Sequence, residues 1–107
     1  MVLINTKGKM MDEILKQVID EISRAVIKFP TWPTDPLHAL AVLGEEYGEL
    51  TQAMLQRTYE PHKLVSTQNI HNEAIQTAAM AVRLALSLDC YEYKQCPQHK
   101  QDIAKGA

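Results

Sequence analysis

"PLHALAVLGEEYGELTQAMLQR", residues 36–57, decides the fold. Nothing in it after Pro36 denies a helix a backbone donor, and Thr34 or Asp35 can cap its start. Pro36 itself falls in the first turn, where a missing N–H has no helical partner to lose. Stepping about 100° per residue from Glu45, Leu43, Tyr47, Leu50 and Met54 gather at roughly 140–200°. Glu49 and Glu46 fall at roughly 40° and 100°. The three acids therefore border the face expected to be buried, Glu46 most closely. His38, Gln52 and Gln56 extend the polar side, and His38 reads as a polar residue at its mouth. Gly44 and Gly48, one turn apart, each cost a helix about 1 kcal/mol relative to alanine. Such a pair suggests a close approach of backbone or ligand.

Two further helices are expected. Met11, Ile14, Leu15, Val18, Ile19, Ile22 and Val26 keep three-four spacing, predicting an amphipathic helix over about 9–28. It must end by "FPTWPTDP", residues 29–36, where three prolines deny donors and push their predecessors to extended conformations. "TYEPHKLVST" connects the second helix to a third over about 68–88, capped by Ser66 or Thr67. On that helix Ile75, Ala78, Ala79, Val82 and Leu86 form one apolar face, and Ile70, Ala81, Leu84 and Leu88 widen it. Asn69, Asn72, Glu73, Gln76 and Arg83 share an arc about 100° wide. A helix apolar around most of its circumference is enclosed by several neighbours. The expectation is one all-α domain over 1–107, with a core of about 9–89 and a tail or arm over 90–107. Its four-helix core is completed by homo-oligomerisation, as a homodimer or homotetramer.

Composition narrows the function. The chain has 107 residues, 46% of them hydrophobic and 6% aromatic, with a net charge of −2 at pH 7. Its interspersed charges offer no basic stripe for duplex nucleic acid. No apolar run approaches the roughly 20 residues of a membrane span, and the start holds no signal-peptide core. A cytoplasmic protein is the expectation, without a membrane partner. Cys90, Cys96 and His99 do not make a four-ligand zinc set, and the thiols read as incidental. If the polar arc of the third helix faces the acids of the second, Glu45, Glu46, Glu49 and Glu73 converge with amides. Such oxygen-rich clusters suit Mg²⁺ or Mn²⁺. Ordinary solvated surface is the competing reading for any one glutamate pair.

These residues carry a resemblance. "EEYGE" fits E-E-x-x-E, and "EAIQ", residues 73–76, stands where an E-x-x-D motif belongs. Over about 32–89 the chain resembles the MazG-like nucleotide pyrophosphohydrolases of the all-α NTP pyrophosphatase superfamily. The resemblance implies Mg²⁺-dependent hydrolysis of an NTP or dNTP to the monophosphate and pyrophosphate, in nucleotide-pool housekeeping. It implies metal ligation by Glu46, Glu49 and Glu73, with Glu45 holding a second ion or taking a proton from the attacking water. Gln76 departs from the pattern: an amide oxygen can ligate Mg²⁺, but one negative charge is missing. Arg83 is placed to meet phosphate oxygens, Asn72 to orient a ligand or ribose, and Trp32 to stack on a base or to anchor packing. The alternative is a non-catalytic helical interaction module that keeps the fold. A ferritin-like di-metal bundle needs E-x-x-H pairs on helices, and none is present.

Overall fold

A computed structural model describes residues 10–93. Of the expected arm over 90–107, residues 94–107, with Cys96 and His99, lie outside them. The described residues form three helices: α1 (Met11–Lys28), α2 (Pro36–Tyr59) and α3 (Thr67–Leu86). Short 3₁₀ turns at Pro61–Lys63 and Leu88–Cys90 follow α2 and α3. The fold is all-α, as expected. No helix among the described residues is long and apolar enough to cross a membrane.

Local chemistry sets the helix starts. The Asp35 carboxylate accepts from the Leu37 and His38 amides at 2.8 and 3.4 Å, with Pro36 filling the first turn. Ser66 and Asn69 form a reciprocal capping box: the Ser66 hydroxyl accepts from the Asn69 amide, and the Asn69 side chain accepts from the Ser66 amide. Asn69, expected on the polar arc of α3, is thereby committed to the cap.

α3 packs between α2 and α1. Val18 of α1 with Ala79 and Met80 of α3 makes the buried cluster, joined by Ile22, Ala25, Trp32, Val42, Leu43 and Ile75. α2 is rotated from the expected orientation. Its buried line runs through Ala39 and Ala53, with the half-buried Glu46 midway between them. Tyr47 and Met54, expected inside, are 62% and 49% exposed. The reason is steric. Residues 39, 46 and 53 are seven apart and stand on one line, and its two alanines let the α2 and α3 backbones close together. The larger Tyr47 and Met54, about 100° and 80° round the helix from Glu46, are left outside that seam. The glycine suspicion is also corrected. A Cβ at Gly44 or Gly48 would meet nothing within 4 Å, so no part of the described chain approaches either.

The proline segment between α1 and α2 is short of donors and rich in carbonyls, and α3 supplies what it lacks. Arg83 is buried, and its Nη2 donates to the Phe29 carbonyl at 2.8 Å and to the Thr31 carbonyl at 3.4 Å. Its guanidinium also lies 4.7 Å from the centroid of the Trp32 ring, a cation–π stack. Trp32 Nε1 donates to the Tyr91 hydroxyl at 2.7 Å, and the Glu92 amide donates to the Thr34 carbonyl at 2.8 Å. The segment after α3 thus closes over the linker.

Candidate metal centre and its cavity

The rotation of α2 puts carboxylates into a helix–helix seam. Glu46 and Glu49, three residues apart, present their carboxyls to α3, where Glu73 meets them. One oxygen from each of the three lies within 4.8 Å of the others. Glu46 and Glu73 are half-buried and Glu49 is exposed. Oε2 of Glu46 and Oε2 of Glu73 are both out of solvent, and neither has a hydrogen-bond partner. A buried carboxylate oxygen without a donor costs free energy that a cation or a proton relieves.

The electrostatics agree with the geometry. The Glu46 carboxyl is pushed above the usual carboxylate range, first by burial, then by the charges of Glu49, Glu73, Glu21 and Glu45. Glu73 is raised by burial, then by the charge of Glu49 and by a hydrogen bond with it. Burial and like charge both penalise the ionised form, and a divalent ion removes both penalties. Three carboxylates, two of them with an unpartnered buried oxygen, therefore fit a hard cation such as Mg²⁺ or Mn²⁺.

Beside Glu46 opens a cavity of about 760 Å³, large enough for a nucleotide-sized ligand. Its polar wall holds Glu45, Glu46, Gln76, Glu21 and Arg24. Its other wall is aromatic and apolar, built from Phe29, Trp32, Pro33, Val42 and Met80. Of the expected residues, Glu45, Glu46, Gln76, Trp32, Arg83 and His38 line this cavity. Arg83 enters as the residue that holds Trp32, with Nη2 committed to backbone carbonyls. Asn72 stands apart, exposed, accepting from Gln68 at 2.8 Å and lining a second, smaller cavity.

Three contributors escape a reading of the sequence. Glu21 and Arg24 bring α1 to the site as an ion pair at 2.7 Å. Tyr91 fixes the indole wall from beyond α3. Glu21 sits beside Ile22 on the core-facing edge of an otherwise regular amphipathic helix, and that placement was the available signal. No protein-family model matches the chain, and neither does any curated protein or solved structure.

Proposed function

We propose that this chain is a divalent-metal-dependent nucleoside triphosphate pyrophosphohydrolase of MazG-like type, acting as a homo-oligomer. The observation that carries the reading is the meeting of Glu46, Glu49 and Glu73 within 4.8 Å, at the edge of a cavity with an aromatic wall. The E-E-x-x-E and E-x-x-Q spacings, on two helices packed together, support it.

In this reading Glu46, Glu49 and Glu73 hold the cation, and Gln76 adds a neutral amide oxygen beside Glu46. Bound there, Mg²⁺ supplies charge neutralisation for the triphosphate and activates water. Glu45 lines the cavity without joining the three-carboxylate cluster. It is the group left to orient a water and accept its proton as the water attacks the α-phosphorus. The α–β anhydride bond breaks and pyrophosphate leaves with the electron pair. Trp32, its face fixed by Arg83 and its edge by Tyr91, offers a preset wall for a base.

The test is a panel of NTPs and dNTPs with Mg²⁺, assayed for pyrophosphate rather than phosphate. Release of pyrophosphate that is lost in Glu46→Gln supports the reading. No pyrophosphate from any nucleotide, with no Mg²⁺-dependent rise in thermal midpoint, leaves the non-catalytic interaction module. Gln76, where the resemblance leads one to expect Asp, is the feature that favours that second reading.

A further inference from the structure

The smaller cavity, about 270 Å³, lies between α1 and α3 and is lined by Gln17, Glu21, Arg24, Asn72, Ile75 and Gln76. Glu21, Arg24 and Gln76 line the larger cavity too, so these three side chains form the boundary between the two. The donors and acceptors on the smaller chamber's walls are unevenly spent. The Asn72 amide oxygen accepts from Gln68 Nε2 at 2.8 Å, and the Gln17 amide oxygen meets His71 Nε2. What each amide has left for a ligand is its NH₂ end, a pair of donors. Glu21, the one acid here, is spent as well. Both its oxygens take Arg24, from Nε at 2.9 Å and Nη2 at 2.7 Å. That fork fixes the guanidinium while leaving Nη1 and the second N–H of Nη2 to donate. The Arg24 side chain is 65% exposed, so a ligand can reach it without displacing protein.

We propose that this chamber is an oxyanion subsite: Arg24, its charge balanced by Glu21, offers its free N–H groups, and the NH₂ groups of Gln17 and Asn72 add further donors. Its ligand class is phosphate or pyrophosphate oxygens. The assignment of those oxygens to the distal phosphates of a nucleotide rests on the reading that the larger cavity takes a phosphorylated ligand. The carboxylate seam and this chamber then divide the work of holding a polyphosphate: one through a cation, the other through N–H groups of the chain.

Inorganic pyrophosphate is titrated calorimetrically into the full chain, with Mg²⁺ and again with EDTA, and Mg²⁺ alone is titrated in parallel. The expected result is Mg²⁺-assisted pyrophosphate binding weakened about tenfold or more in Arg24→Gln. Asn72→Ala weakens it about threefold, and Arg24→Lys falls between Arg24→Gln and the parent because it keeps the charge and loses the fork. Binding of Mg²⁺ alone stays as in the parent for all three variants, which separates loss of the chamber from damage to the carboxylates. Variants that bind pyrophosphate as the parent does overturn the proposal, as does a parent that binds none. If pyrophosphate binds with these dependences but no triphosphate is cleaved, the chamber stands and the hydrolase reading falls. If triphosphates are cleaved and the variants bind normally, the chamber falls alone.

Discussion

Glu46 is the residue at which stability and chemistry pull against each other. It sits midway between Ala39 and Ala53, where α2 closes on α3, and its buried oxygen has no donor. Glu46 and Glu73 both titrate above the ordinary carboxylate range. A raised carboxyl pKa means that the folded chain holds these protons more tightly than the unfolded chain. Their contribution to stability is complete below the unfolded carboxylate pKa and is lost as pH rises through the raised folded values. Without metal, the thermal midpoint is therefore expected to decline from mildly acidic to neutral pH. Glu46→Gln should flatten that decline and raise the midpoint at pH 7 in EDTA; a steeper decline in the variant would refute the assignment. Added Mg²⁺ should restore the parent at neutral pH and leave Glu46→Gln unmoved, since only a ligand that binds the folded state shifts its stability. Gln76 gives the reciprocal test. Gln76→Asp adds a charge beside Glu46, so it should lower the midpoint in EDTA and reduce the Mg²⁺ concentration needed to raise it, both read from one thermal titration. That Glu45, Glu46 and Glu49 share one side of α2 was legible in the sequence because helical spacing fixes it, whereas the meeting of Glu73 with Glu46 and Glu49, and not with Glu45, depends on how α3 packs. Glu21 was not legible: whether an acid at the edge of an amphipathic stripe points to solvent or to a neighbour depends on the tilt of α1 against α3.

At the scale of elements, the three-four spacing of apolar residues was enough to find three helices, and turn chemistry placed two of their starts to within a residue, at Thr34 or Asp35 and at Ser66 or Thr67, of which the structure uses Asp35 and Ser66. It was not enough to orient α2. Hydrophobicity favours burying Tyr47 and Met54, whereas close approach favours the line through Ala39 and Ala53, which carries a glutamate. The second effect wins in the described chain because the alanines let α2 pack closely on α3. The linker shows a similar limit. Its three prolines announced a break, and nothing local announced that a buried arginine two turns past Gln76 on α3 would satisfy its carbonyls. Arg83→Leu keeps the bulk and removes those donors, leaving the carbonyls of Phe29 and Thr31 and the face of Trp32 without their partner. The cost expected from urea unfolding is about 1–3 kcal/mol, the usual range for a buried polar group left unpaired. Trp32 is the only tryptophan in the chain, so its emission should shift to the red in the same variant as the indole loosens from its wall. A variant with parental emission and stability would show that Arg83 does not hold the linker.

At the scale of the whole molecule, the described residues keep more apolar surface than their three helices cover. Within the described chain no large side chain is fully buried, while Leu40, Tyr47 and Met54 are 54%, 62% and 49% exposed. These three are seven residues apart and form one stripe along α2, on the side turned away from Glu49. Leu37, Leu55 and Tyr59 widen it, at 74%, 50% and 76% exposed, and Gly44 and Gly48 lie open between them. No acidic or basic residue interrupts that side of the helix. An apolar patch of this kind on a chain this small marks an interface. A second copy bringing its own α2 would complete the four-helix core expected from sequence, with the glycines admitting its side chains. The parent chain is therefore expected to sediment at a multiple of 12.1 kDa, with a thermal midpoint that rises with protein concentration. Tyr47→Glu places an unpaired charge in the middle of the stripe and should return the chain to monomer. Tyr47 faces away from the carboxylates, so in a monomer its loss would leave the Glu46–Glu49–Glu73 cluster alone. In an oligomer formed through the stripe, packing there would add to the hold on the rotation that presents Glu46 and Glu49 to α3. Tyr47→Glu is then expected to weaken Mg²⁺ binding together with the loss of mass. Dissociation with unchanged Mg²⁺ affinity would show that the Ala39–Glu46–Ala53 seam sets the rotation unaided, and a parent chain sedimenting at 12.1 kDa even when concentrated would remove the oligomer altogether.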